Sequence, residues 1–578
     1  MLKNTYPRLP IINTLRDYSR SFFRLDLLAG ATVAAIAIPQ AMAYAQLAGA
    51  PVAMGLYATF IGMLLFAIFS TTKHVVVGPD AAMAALTGAT LIPLANNNPS
   101  HYMALVALLA ILIGLACLIA VAAKLSFLSE FLSRPILLGY MTGLGLAVIA
   151  SQAPKLFGLP ALAKSNFFSS IFNILSNIVR VHPATLMLSV FLGFACFLMI
   201  RFLPKVPVSL VVLLACIFLS WLLNFKGLGI AVVGTIPSGL PLPHIPDVSF
   251  FDVQNLFIPA FAIMMVSYAN TITTARSFAA KNNDHINSAQ ELTALGISSI
   301  GTGLFGGIPI AASGVRTAVN EQNKAVSQVS QLIAAAVVGL ALLFLTPILK
   351  YLPQPALAVI IIIAVLKLFN ISELKSIWHA WHAEALLAIA TVVGVTILGI
   401  FQGLLLAILL AVVNLVRKSA FPTDAVLGVA ADGSIRDKKR PPKTESIPGI
   451  VMYRFDAPLY FGNSEYFRQR VLNLVDSSDD IRWFLWDAET ITSIDSTAGA
   501  MLLGLIREMK DRKITFCISR LKGPVRSTIN RTNRLSNAFK SIPHYPSMGK
   551  ALSAFEQESA HIDKATKLVK QSKLLEKP

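Results

Sequence analysis

The sequence predicts an all-α polytopic membrane domain followed by a small cytoplasmic α/β domain. Composition is the first reason. The chain has 578 residues, of which 55% are hydrophobic and only 13% charged. A soluble protein of this length carries about 25% charged residues. Mean hydropathy is +0.67. The second reason is asymmetry: residues 1–420 hold 34 Asp, Glu, Lys and Arg, whereas residues 421–578 hold 43. The third is a change of periodicity. Long apolar runs give way after residue 447 to short strand-like and amphipathic helix-like stretches.

Residues 1–26 are polar and carry Lys3, Arg8, Arg16, Arg20 and Arg24, so this end is expected on the cytoplasmic side, with no cleavable signal peptide. Residues 27–420 form the membrane domain. About 20 apolar residues span a bilayer core. Long candidates lie near 27–47, 52–70, 102–123, 132–152, 183–202, 207–224, 254–277, 327–349, 384–400 and 403–418. Shorter or interrupted ones lie near 80–95, 289–306, 312–323 and 355–369. Fourteen spans, an even number, return the chain to the cytoplasm.

Two interrupted stretches share one plan. In "KHVVVGPDAAMAAL" a β-branched triplet and Gly78-Pro79 precede a short apolar helix starting near Asp80. In "GGIPIAASGVRTAVNEQ" an extended Pro-containing piece precedes a short helix starting near Ala312. Non-helical backbone at membrane depth is tolerated only where protein or an aqueous cavity covers it. Such segments at matching places in two halves point to a transporter's binding site. The bland alternative is that Gly and Pro kink ordinary helices.

Residues 421–447, with "DKKRPPKTE", read as an extended solvated linker. Residues 448–557 then alternate. "GIVMYRFDAPLYFGN" reads as two strands and "SEYFRQRVLNLVD" as a helix. "IRWFLWDAETI" is a strand, "STAGAMLLGLIREMKDR" a helix, "KITFCISR" a strand and "GPVRSTINRT" a helix. Residues 558–578 form a basic tail.

The composition also excludes. A net charge of +19 raises nucleic-acid binding, but residues 1–420 place 23 basic and 11 acidic residues mostly at the ends of apolar runs. That is the pattern of basic cytoplasmic loops, so no nucleic-acid partner is expected. Cys117, Cys196, Cys216 and Cys517 form no C-x-x-C pair. His379 and His382 in "WHAWH" read as an interfacial belt rather than a metal pair. No metal or cofactor is expected. The absence of G-x-S-x-G, paired acids and G-x-x-x-x-G-K-[ST] argues against an enzyme or an ATP-driven pump.

Four stretches in order resemble the SulP family of anion permeases and exchangers: "DLLAGATVAAIAIPQAMAYAQLAGAPVAMGLYATF", "VGPDAAMAAL", "ARSFAAKNNDHINSAQELTALGISSIGTGLFGGIPIAASGVRTAVN" and "IDSTAG" at 494–499. The last matches the signature loop of a STAS domain. The resemblance implies two inverted seven-helix repeats, a core domain and a gate domain, and a homodimer. It also implies a small-anion substrate: sulfate, bicarbonate, chloride or a dicarboxylate. The expected location is the cell (inner) membrane with both termini cytoplasmic. A cytoplasmic partner for the STAS domain is the remaining partner expectation.

An anion in hydrocarbon needs positive potential, and helix N-termini supply it. The first-turn amides after Asp80 (Ala81, Ala82) and those of Ala312, Ser313, Gly314 and Val315 are the candidates. Arg316 adds a full charge. An Arg at this depth costs roughly 2.5–3.5 kcal/mol on insertion scales, so it reads as functional or as a partner for Asp80 or a carbonyl. Gln40 and Tyr44 are four apart on one helix face, and Pro39 is expected to interrupt the helix just before them; the resemblance implies that this face lines the anion pocket, and the plainer alternative is packing between helices. The resemblance implies Ser just before the Arg, where this chain has Val315. It also implies a carboxylate where this chain has Asn270, with Thr274 one turn on. Asp80 is therefore the candidate for the coupling role, against the simpler reading that it caps its own helix. Ser496 and Thr497 occupy the loop position that soluble STAS relatives phosphorylate. Proton-coupled sulfate transport is the first functional expectation; an uncoupled channel, an exchanger and a nucleobase permease are the rivals.

Overall fold

A computed structural model describes residues 9–575 apart from 17, 96–97, 126–133, 160–166, 203–207, 283, 285, 367, 440, 442–443, 478–479 and 532. Lys3 and Arg8, part of the stretch 421–447, residues 576–578 and the side chains of 562–575 lie outside the described residues.

The chain divides into two units, Met1–Ala411 and Val412–Pro578. The first begins with α1 (Pro10–Arg16), α2 (Arg20–Leu47), α3 (Val52–Phe69), β1 (Val77–Gly78) and α4 (Ala81–Leu91). There follow α5 (Pro99–Ala122), α6 (Arg134–Leu156), α7 (Phe167–Ser176), α8 (Pro183–Phe202) and α9 (Val208–Leu223). Next come α10 (Phe250–Asn282), α11 (Ser288–Leu304), β2 (Ala311–Ala312), α12 (Gly314–Gln322), α13 (Val329–Phe344) and α14 (Thr346–Leu349). The last are α15 (Gln354–Leu366), α16 (Ile371–Ala380), α17 (His382–Leu398) and α18 (Ile400–Ala420), which runs past the unit boundary.

Helices occupy all fourteen expected stretches. Among the described residues eight segments are long and apolar enough to cross a membrane, and the remainder are shorter. The outer helices leave bulky side chains bare: Met187 on α8 is 73% exposed and Trp221 on α9 61%. Such a surface suits lipid, not water. The protein is a multi-pass membrane protein with a mostly helical first unit. Helices α1, α7 and α16 were not expected; they are too short to register as spans.

Local sequence sets the helix starts. Ser19 caps α2 by accepting from Phe22 N, and Asn98 caps α5 ahead of Pro99. Pro39 does not interrupt α2, contrary to the sequence expectation. One lost hydrogen bond does not end a helix that α3 and α13 clamp on either side. Gly55 of α3 faces Ala41 O of α2 where a Cβ would lie 2.1 Å from that oxygen, so only glycine permits this approach.

The second unit is an α/β domain. Its strands are β3 (Asp424–Ala430), β4 (Ile435–Asp437), β5 (Thr444–Glu445), β6 (Ile450–Phe455), β7 (Trp483–Asp487), β8 (Thr515–Ser519) and β9 (His544–Tyr545). Sheet order is β4-β3-β6-β7-β8-β9, with β5 on β3. Strands β6 to β9 are parallel; β3 is antiparallel to its neighbours. Its helices are α19 (Ser464–Val475), α20 (Ser496–Asp511), α21 (Gly523–Asn530), α22 (Asn533–Lys540) and α23 (Met548–Leu575). Alternation divides β7 between two cores: Phe484 and Trp486 face one, Trp483 and Leu485 the other with Phe555 of α23.

Two expectations are corrected here. Residues 421–447 are not an extended solvated linker; they carry β3, β4 and β5. The alternation at the start of "DAVLGVA" buries Ala425 and Leu427, and the charged stretch that follows disguised it. The second strand expected in "GIVMYRFDAPLYFGN" is a single bridge, Leu459 to Ile494. His379 and His382 lie on different helices, α16 and α17.

Candidate functional site

The site forms where two chain segments meet inside the first unit. Strands β1 and β2 pair antiparallel, Val77 with Ala312 and Gly78 with Ala311. Each then turns into a short helix, so the N-termini of α4 and α12 converge on one place. The sheet is short, and side chains supplement its backbone pairing. Ser313 N donates to Val76 O (2.9 Å), and Val76 N donates to Thr317 Oγ1 (3.1 Å). From α10, Ser267 donates to Ile310 O (2.8 Å), and Thr271 Oγ1 accepts from Ala312 N (3.1 Å). Backbone polar groups far from water are thus paired, as a membrane interior demands.

Arg316, in the first turn of α12, is fully buried. Its Nη2 donates to Pro79 O (2.8 Å), just ahead of α4. Its Nε and Nη1 have no hydrogen-bond partner among the described residues. Gly78 makes room for the guanidinium: its φ is +153°, and a Cβ there would sit 3.2 Å from Nη2. A buried cation with two free donors needs an acceptor, and leaving such groups unmet is costly. Of the structural partners expected for Arg316 the carbonyl is the one met, and two of its donor nitrogens remain without a partner among the described residues.

The amides of α12 are fewer than expected. Ala312 N is consumed by Thr271 Oγ1 of α10, and Ser313 N by Val76 O just ahead of β1. Arg316 N donates to Ser313 Oγ, the N-cap (3.4 Å). That leaves Gly314 N and Val315 N as the first-turn donors. Gly314 is exposed, and a Cβ on it would meet nothing within 4 Å. The space in front of α12 is therefore open.

On the facing side Asp80 caps α4, accepting from Ala82 N (3.4 Å), while Ala81 and Ala82 are buried. Asp80, Tyr44 and Arg316 sit close enough to interact electrostatically. Gln40 and Tyr44 are nearly buried on α2, which packs on both α4 and α12; Gln40 Oε1 has no partner among the described residues. Asn270 and Thr274 are half-buried on α10, which packs on β2 and α4. In the second unit Ser496 and Thr497 are exposed at the start of α20, and Asp495 caps it, accepting from Ala498 N (2.8 Å).

Sequence reasoning missed the residues that hold the two re-entrant segments at their far ends. Asp26, fully buried, accepts from Val326 N (2.7 Å), Ser327 N (3.2 Å), Ser327 Oγ (2.6 Å) and Tyr18 Oη (2.8 Å). Glu291, also fully buried, accepts from Thr71 N (2.8 Å), Thr71 Oγ1 (2.6 Å) and Ser70 Oγ (2.7 Å). One anchors the turn after α12 and the other the turn before β1. The available signal was a lone acid near the start of an apolar run.

Residues 23–391 match the sulfate permease family and residues 441–551 match the STAS domain. A probable sulfate transporter of Mycobacterium tuberculosis is 37% identical over 528 residues, 91% of this chain and 94% of that protein. The chloroplastic sulfate transporter 4.1 of Arabidopsis thaliana is 31% identical, with 90% of this chain and 79% of that one covered. Among solved structures, the murine solute carrier 26 family member A9 anion transporter, inward-facing, aligns with a TM-score of 0.86 at 21% identity, over 96% of each chain. The transmembrane domain of a cyanobacterial bicarbonate transporter aligns at 0.61 and 24%, over 68% of this chain and 98% of that one.

Proposed function

The chain belongs to the sulfate permease family, and we propose that it carries a small oxyanion, sulfate first, across the cell membrane by alternating access. The carrying observation is the buried guanidinium of Arg316, with Nε and Nη1 unpartnered, where α4 and α12 converge. Gly314 N and Val315 N add the positive end of a helix. Gln40 and Tyr44 supply neutral donors on one flank, Asn270 and Thr274 on the other. Neutral donors orient an oxyanion without trapping it. On this reading the termini are cytoplasmic, the working form is a homodimer, and the STAS domain regulates or docks a partner, with Ser496 and Thr497 exposed to modification.

Uptake of a divalent anion into an inside-negative cell opposes roughly 4.6 kcal/mol at 100 mV. Proton symport offsets this, and Asp80 is the group that takes the proton. While ionised, Asp80 competes with the anion for the field of Arg316. Once protonated, it no longer does.

The test is uptake of labelled sulfate into proteoliposomes under imposed pH, Na⁺ or Cl⁻ gradients, with bicarbonate, dicarboxylate and nucleobase competitors. Inward-acid gradients should drive accumulation in the wild type. Asp80→Asn should lose that drive while keeping anion binding, because Asn still caps a helix. Undiminished pH-driven accumulation in this variant removes the coupling role. Saturation by a nucleobase, or currents far above carrier turnover, would replace the substrate or the transport mode.

A further inference from the structure

A cavity of about 700 Å³ opens in the first unit away from the Arg316 guanidinium. Its wall includes Gln46 at the C-terminal end of α2, and Ser151, Gln152 and Lys155 in the last turns of α6. Gln402 at the start of α18 closes another side. Among the described residues no Asp or Glu lines it. Lys155 is half-buried, and its ammonium makes no ion pair or hydrogen bond among the described residues. Gln152 is 3% exposed, and among the described residues its Oε1 has no partner; nor has that of Gln46. Gln152 Nε2 reaches only Ser151 Oγ, at 3.4 Å. An amide so loosely held turns its NH₂ toward an acceptor at little cost.

The Lys155 ammonium lacks an acceptor, and the two amide oxygens lack a donor; a half-turn of the Gln152 amide lets its oxygen accept from Ser151 Oγ and presents the NH₂ to an oxyanion in its place. A lysine ammonium has three donors, and an amide beside it completes an anion-binding corner. The cavity continues along α4 past Gly88 to Ala85, one helical turn from Ala81 and the Asp80 cap. We infer that Lys155, with Gln152 and Gln46, forms a second anion site: a vestibule that captures the oxyanion and hands it along α4 to Arg316. This rests on the transport reading above. With the termini cytoplasmic, the C-terminal end of α2 faces outward, so the vestibule serves external anion. The competing explanation is that Lys155, near the C-terminus of α6, only balances the helix dipole. That role would be read in stability, not in apparent affinity.

The experiment uses the full chain in proteoliposomes, oriented and assayed with external labelled sulfate. Lys155→Gln should raise KM about fivefold and leave the maximal rate within about twofold, because a steering charge acts on capture and not on translocation. The gap should close at high ionic strength set with a gluconate salt. Lys155→Arg should retain the wild-type KM. In parallel, an amine-reactive label on native Lys155, read by peptide mass spectrometry, should be slowed by sulfate in the wild type. It should be slowed equally in Arg316→Gln, where the inner site is disabled. An unchanged KM in Lys155→Gln, an Arg variant as impaired as the Gln variant, or labelling indifferent to sulfate each overturns the vestibule. If Lys155→Gln does not fold, the labelling result decides alone. Wild-type uptake by Arg316→Gln would instead overturn the transport reading, and sulfate protection of Lys155 would still judge the vestibule.

Discussion

In the β1–α4 unit the helix cap is a carboxylate, Asp80, and the first turn is apolar. In the β2–α12 unit the cap is a hydroxyl, Ser313, and the first turn carries Arg316. The strands pair in register and the two helix ends converge, so geometry is nearly shared while charge is opposite. A capping carboxylate cancels the positive end of its own helix; a capping hydroxyl leaves it intact. On the transport reading proposed above, anion attraction is therefore concentrated on α12 while α4 contributes a titratable brake, so that two matching scaffolds divide binding and coupling between them.

Removing the charge from the α12 unit should have the largest effect. Arg316→Gln is expected to lower sulfate uptake about 30-fold or more, since losing one partner of a buried charge contact costs about 2–5 kcal/mol. Retained wild-type uptake would break the comparison outright. Next is Gly78→Ala, which forces an L-residue to φ +153° and presses a methyl on the guanidinium. Backbone strain of about 1–3 kcal/mol predicts roughly a tenfold loss of uptake, with unchanged membrane insertion. Thr271→Val should leave Ala312 N without its acceptor and cost about 1–3 kcal/mol, read as a lower melting temperature in detergent. Ser313→Ala removes the α12 cap and should cost about 1 kcal/mol by the same measurement. Asp80→Ser would make the two caps alike; its apparent sulfate affinity should rise a few-fold at neutral pH and lose its pH dependence.

The sequence made the membrane unit legible because lipid imposes a length and a polarity on each span. It located both half-helices for the same reason: Gly78-Pro79 and Gly306-Gly307 are conspicuous in apolar surroundings. Arg316 stood out as a cation where cations are expensive. What stayed hidden depends on partners distant along the chain. Asp26 meets Ser327, 301 residues away, and Glu291 meets Thr71, 220 residues away. No local pattern encodes such pairings. The loss of Ala312 N and Ser313 N from the anion-facing set has the same origin, since Thr271 and Val76 claim them through tertiary contact. The strands β3 to β5 were obscured differently, by a charged composition that outweighed a short alternation.

The Arg316–Pro79 contact joins residues 237 positions apart. At about 5–20 residues per second, a ribosome needs roughly 10–50 s to make the chain between them. Throughout that interval the nascent first half sits in the bilayer with Val76 lacking the partners that Ser313 N and Thr317 Oγ1 later provide. Assembly of the carrier is therefore gated by translation of its own second half. A pause in that stretch leaves an intermediate that membrane quality control can seize.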